Sequence, residues 1–75
     1  MEKHDLIHEF PDKKEKIHSL KISNNHFRSL FDEYHEVDHE IHRIEAGAEV
    51  TTDEVLNDLR LRRVQLKDKL AALLQ

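Results

Sequence analysis

Two runs of apolar residues, one on each side of a short break, constrain this chain more than any other feature of it. From Phe27 the first run continues at Leu30, Tyr34, Val37, Ile41, Ile44 and Ala48, alternating steps of three and four. That spacing lines one side of an α-helix. After "EVTTDE" a second run places Leu56, Leu59, Leu66, Leu70 and Leu73 on one seam, with Arg63 as its charged member. Folding the chain back at Val50 sets Ile44 opposite Leu56, Ile41 opposite Leu59, Val37 opposite Arg63, Tyr34 opposite Leu66, Leu30 opposite Leu70 and Phe27 opposite Leu73. The two seams are in register from end to end. A connection this short makes neighbouring helices antiparallel. The same register brings Glu33 near Lys69, Glu40 near Arg62, and Asp38 between Arg60 and Lys67. Exposed pairs of this kind contribute ~0.2–1 kcal/mol each, so they set register more than stability.

Punctuation marks the segment ends. Pro11 suits the first position of a helix, where its missing N–H is no loss, and Ile17 and Leu20 give the following segment a short apolar face ending near Ile22. "SNN", Ser23 to Asn25, competes for backbone hydrogen bonds and starts a new helix. Gly47 ends that helix, and Thr51 or Thr52 caps the next, Thr51 with Glu54 having capping-box spacing. The expected organisation is a single all-α domain over residues 1–75: a loose N-terminal arm (1–9), a short helix (11–22), and two long helices (25–47 and 52–74) forming an antiparallel coiled-coil hairpin.

A core made from 75 residues is marginal unless something reinforces it. There is no cysteine, which excludes disulfides and thiolate zinc sites and is compatible with a reducing compartment. Self-association is the remaining reinforcement. Leu61 and Val64 lie on the far side of the last helix, and Phe31 and Leu74 flank the open end of the hairpin. The first helix offers Phe10, Ile17, Leu20 and Ile22, enough to cover part of that surface. The expectation is a homodimer or tetramer with Leu61, Val64, Phe31 and Leu74 at the interface, assembled as a helical bundle. "MEKHDLIHEF" has neither a basic lead nor a long apolar run, and no later stretch reaches the ~20 apolar residues of a membrane span. The chain is expected to be cytoplasmic and to need no cofactor.

Beyond periodicity, the residues have a family likeness. "HFRSLFDEYHEVDHEIHRIE" and "LKDKL", with "FPDKKEKIHSLK" before them, resemble the YdcH-like family of small bacterial helical proteins, whose function is unassigned. The resemblance runs from Phe10 to about Leu74 and rests on Phe10–Pro11, His26–Phe27, Leu30 to Asp32, Asp38, Ile41 and Leu66 to Asp68. Tyr34, Leu61 and Lys69 depart from the residues usual in that family. The resemblance implies a helical hairpin and brings no catalytic residue with it.

Three stretches carry possible chemistry. "HEVDH", His35 to His39, matches the H-E-x-x-H signature of zinc proteases. In a helix whose buried seam includes Val37, however, His35, His39 and His42 share one outward stripe, and a hairpin supplies neither a third ligand from another element nor walls for a substrate groove. Seven histidines in so short a chain make a chance match unsurprising. A milder reading keeps His35, His39 and His42 as a zinc- or nickel-chelating stripe, with Asp38 near enough to assist. His4 and His8 repeat the spacing in the arm. "RLRRVQLKDK", Arg60 to Lys69, raises a nucleic-acid reading, but four of its basic residues have acidic partners across the hairpin, it contains no aromatic residue to stack on a base, and the net charge is -4. A phosphate loop is excluded, since Gly47 is the only glycine. The sequence thus favours a non-enzymatic interaction protein with an unidentified protein partner, against a metal-binding or nucleic-acid-binding module.

Overall fold

The computed structural model describes residues 6–75. A single helical turn, α1 (Leu6–Glu9), leads through a 3-10 turn at Pro11–Lys13 into α2 (Lys14–Ser23), followed by the long helices α3 (Asn25–Glu45) and α4 (Asp53–Leu73). Among the described residues there is no strand.

Local chemistry accounts for each boundary. Asn24 interrupts the helix between α2 and α3 with φ -131 and ψ 104, and its side chain accepts the Phe27 N–H at 3.0 Å, satisfying one of the free donors of the first turn of α3. At the other end Gly47 takes φ 80, which side-chain-bearing residues rarely adopt. The Ala48 N–H then reaches the Arg43 carbonyl at 2.9 Å and the Gly47 N–H that of Ile44 at 3.1 Å, closing a Schellman motif. Of the two candidate caps for α4, Thr52 serves, its hydroxyl accepting the Val55 N–H at 3.2 Å with Asp53 and Glu54 in the first turn. The capping box from Thr51 is not formed, because the helix begins one residue later than that box requires.

α3 and α4 pack on each other across the short connection of residues 46–52, which makes the hairpin antiparallel, and ion pairs cross between them. Glu33 pairs with Arg62, Asp38 with Arg63 at 2.8 Å, and Glu45 with Arg60 at 3.0 Å. Individual charge partners differ from those the sequence implies by up to about two turns, Glu33 meeting Arg62 rather than Lys69. Lys67, expected near Asp38, is instead held by Glu9 of α1 at 2.9 Å.

That contact reveals what lies over the hairpin. Leu6, in the segment expected to be a loose arm, is 0 % exposed and belongs to the core with Ile17, Phe27, Leu30, Tyr34, Val37, Ile41, Leu66, Leu70 and Leu74. The first segment covers one flank of the α3–α4 groove, the flank that carries His35 on α3 and Lys67 on α4. Two of the four residues expected at an oligomer interface are consequently reassigned. Leu74, seven positions beyond Lys67 and so on the same flank, is 2 % exposed and replaces the half-buried Leu73 as the innermost residue of the last turn. Phe31 packs partly buried against the core, with the Lys21 ammonium 4.4 Å from its ring centre and the His35 ring at 4.3 Å. Ile22, expected to help cover the hairpin, points outward instead.

Burial is uneven along the hairpin. It is deepest toward the termini, where α1 and α2 add a third layer, and thins toward the tip, where Leu56 and Leu59 are half-buried and Val50 and Val55 exposed.

Candidate functional site

The helix that carries the H-E-x-x-H match buries Tyr34, Val37 and Ile41, which turns His35, Glu36 and His39 toward the flank and the solvent. His35 does not face solvent freely. Its Nδ1 lies 2.9 Å from the Phe31 carbonyl, which can only accept, so Nδ1 carries the proton. Nε2 is left as an acceptor, and the Leu6 N–H donates to it at 3.4 Å. Both ring nitrogens are engaged within the chain, and the ring itself meets Tyr34 edge-on at 5.4 Å.

The other two histidines diverge from it. His39 is exposed, and Nε2 of His42 lies 3.8 Å from Asp38 Oδ1, the same oxygen that accepts from Arg63. Glu36 is exposed beside a shallow open depression that also includes Asp32, His35, His39, Glu40 and Arg43. Among the described residues no three histidine or carboxylate side chains are grouped so as to hold a metal ion. The expected stripe of His35, His39 and His42 is corrected accordingly: helical spacing puts the three on one side of α3, but backbone and carboxylate partners inside the chain orient two of them. His4 lies outside the described residues.

The deepest charge is Asp38, 6 % exposed and bonded to Arg63. Arg63 extends from its seam position to this carboxylate, as a long side chain at the edge of a core does. Beside it a small recess is lined by Glu9, Tyr34, Arg63, Val64 and Lys67. At the hairpin tip, Glu49 has its carboxyl pushed above the ordinary value, first by a hydrogen bond with Glu40, with Arg43 opposing the shift. The basic run of α4 offers little unpaired charge, since Arg60, Arg62, Arg63 and Lys67 are each paired with an acid.

The residues that sequence reasoning missed are Leu6 and Glu9. Their available signal was the Leu6–Ile7 pair one turn ahead of Phe10.

The fold and this surface define a small all-α protein, an antiparallel hairpin covered on one flank by its own leading segment. Comparison with known proteins gives the same class a family. The family described as "Protein of unknown function (DUF465)" matches residues 27–74, which span the hairpin. "Uncharacterized protein YdcH" of Escherichia coli (strain K12) is 35% identical over 66 residues, covering 88% of this chain and 89% of that protein. The protein of the same description from Shigella flexneri matches equally. No solved structure matches. The chain belongs to the DUF465, YdcH-like family.

Proposed function

We propose that this protein is a non-enzymatic interaction protein of the cytoplasm that self-associates, as a homodimer or tetramer, through the outer face of α4. The observation that carries the reading is the pair Leu61 and Val64, which stay 57 % and 54 % exposed although the first segment covers the groove beside them. They lie three residues apart on one helix face, with exposed Asn57, Gln65 and Ala72 nearby and the charged Asp58, Arg60 and Asp68 at its rim. An apolar pair rimmed by charges of both signs on a chain this small is a surface suited to a second copy, which would also thicken a core that thins toward the hairpin tip. No described helix is long and apolar enough to cross a membrane. The pairing of the basic run, and the engagement of His35 by its own chain, support interaction over hydrolysis, metal chemistry or nucleic-acid binding.

Light scattering at tens of micromolar tests this. The expected mass is a multiple of 9.0 kDa, falling to the single-chain value when Leu61 and Val64 are both replaced by lysine, with helicity unchanged. A wild-type mass of one chain, or tight zinc binding by calorimetry that disappears in His39→Ala, would overturn it.

A further inference from the structure

The first segment and the hairpin are joined by one non-helical residue. The Asn24 N–H still bonds to the Leu20 carbonyl at 2.9 Å, and the Arg28 N–H to the Asn24 carbonyl at 3.0 Å, so helical hydrogen bonding runs up to the hinge from both sides. Turning φ and ψ of Asn24 from -131 and 104 to the helical region would fuse α2 and α3 into one continuous helix. The fused helix would supply intrahelical acceptors to the first N–H groups of α3, now served in part by the Asn24 side chain. It would also lift α1 and α2 off their own hairpin.

What they leave is a groove of known shape. It takes Leu6 and Ile17 into the core, pairs Glu9 with Lys67, gives the Leu6 N–H an acceptor at His35 Nε2, and lets the Lys16 ammonium donate to the Gln75 carbonyl at 2.8 Å. The family model matches residues 27–74, the groove-forming hairpin, while the relatives' match over 66 residues also takes in α2. The segment that fits the groove best is the one already in it, and every chain has one.

We infer that the α3–α4 groove binds the first segment of a second copy, two chains exchanging residues 6–23 reciprocally through the hinge at Asn24. The exchanged dimer keeps every contact named above, now between chains, and differs from the closed monomer only at its two hinges and in the entropy of association. The equilibrium is therefore set by hinge chemistry and concentration. Ser23, Asn24 and Asn25 all disfavour a helix interior, and the Asn24 cap exists only in the closed form. This surface is distinct from the outer face of α4, and neither depends on the other.

Asn24→Ala removes the cap and raises helix propensity, about tenfold per hinge, so the exchanged dimer should gain on the order of a hundredfold in association constant. Asn24→Asp keeps a capping oxygen and should behave like the wild type. A three-residue Gly/Ser insertion after Ser23 lets the segment reach its own groove without a sharp turn and should lower the exchanged fraction. Zero-length carbodiimide coupling of Glu9 to Lys67, in dimer isolated from an equal mixture of ¹⁴N and ¹⁵N Asn24→Ala chains refolded together, reads the connection directly. About half of the coupled peptides should carry one isotope on each side. Coupled peptides that are all isotopically pure, with no mixed species, would overturn exchange while leaving the outer-face dimer standing. In a background with Leu61 and Val64 both replaced by lysine, which removes the outer-face contact, an added Asn24→Ala that keeps full helicity and gives no more dimer would overturn it as well.

Discussion

Aspartate in place of Ile41 is expected to destabilise the protein by about 3 kcal/mol or more, enough to unfold most of it at room temperature, whereas aspartate in place of His39 should shift stability by less than about 0.5 kcal/mol. Ile41 is 0 % exposed at the middle of the α3 seam, and a carboxylate there has no cation within the core to pair with. His39, two residues away on the same helix, is exposed. The opposing residue, Leu59, is only half-buried, so Leu59→Asp should fall between the two. Urea denaturation followed by circular dichroism measures all three, and equal losses at positions 41 and 39 would contradict the register.

The ion pair between Arg63 and Asp38 should show a large asymmetry. Arg63→Ala leaves Asp38 buried with only His42 nearby, and is expected to cost about 2–3 kcal/mol; Asp38→Ala leaves an arginine whose side chain is 26% exposed and can turn toward water, and should cost about 1 kcal/mol. The double alanine variant should lose clearly less than the sum, giving a coupling of ~1–2 kcal/mol. Because desolvation offsets much of the attraction in a pair this deep, Arg63→Met combined with Asp38→Leu should come close to wild-type stability. Additive losses in the cycle would mean that the pair contributes only as two separate side chains.

The hairpin could be read from sequence because its information is local and repeated. Steps of three and four from Phe27 to Ile44, answered by those from Leu56 to Leu70, specify both helices and their pairing, and Gly47 and the threonines mark the turn. The covering segment could not be read the same way. Leu6 is buried by residues far along the chain, and nothing in the spacing of "DLIHEF" says that a flank carrying Phe31, His35, Lys67 and Leu74 awaits it. The same long-range contact changed the reading of two interface candidates, Phe31 and Leu74, and of the histidine stripe. Spacing places His35 on an outward face, but whether its nitrogens are free depends on a backbone N–H that lies 29 residues away. Leu61 and Val64, by contrast, stay more than half exposed among the described residues, as their position off the seam implies.

The thinning of the core toward the tip also bears on how the chain acquires its structure. Pairs next to the turn, such as Ile44 with Leu56, close the shortest loop and lose the least chain entropy. They are also the least covered of the seam, so early closure gains little burial. The layers that gain most, Tyr34 with Leu66 and Leu30 with Leu70, meet only after most of the hairpin has been looped together. Zippering from the tip therefore climbs until those layers join, which puts the folding barrier late along the hairpin and the docking of Leu6 and Ile17 beyond it. Contacts of the leading segment then act on the unfolding rate far more than on the folding rate, so this short segment governs how long a folded molecule persists.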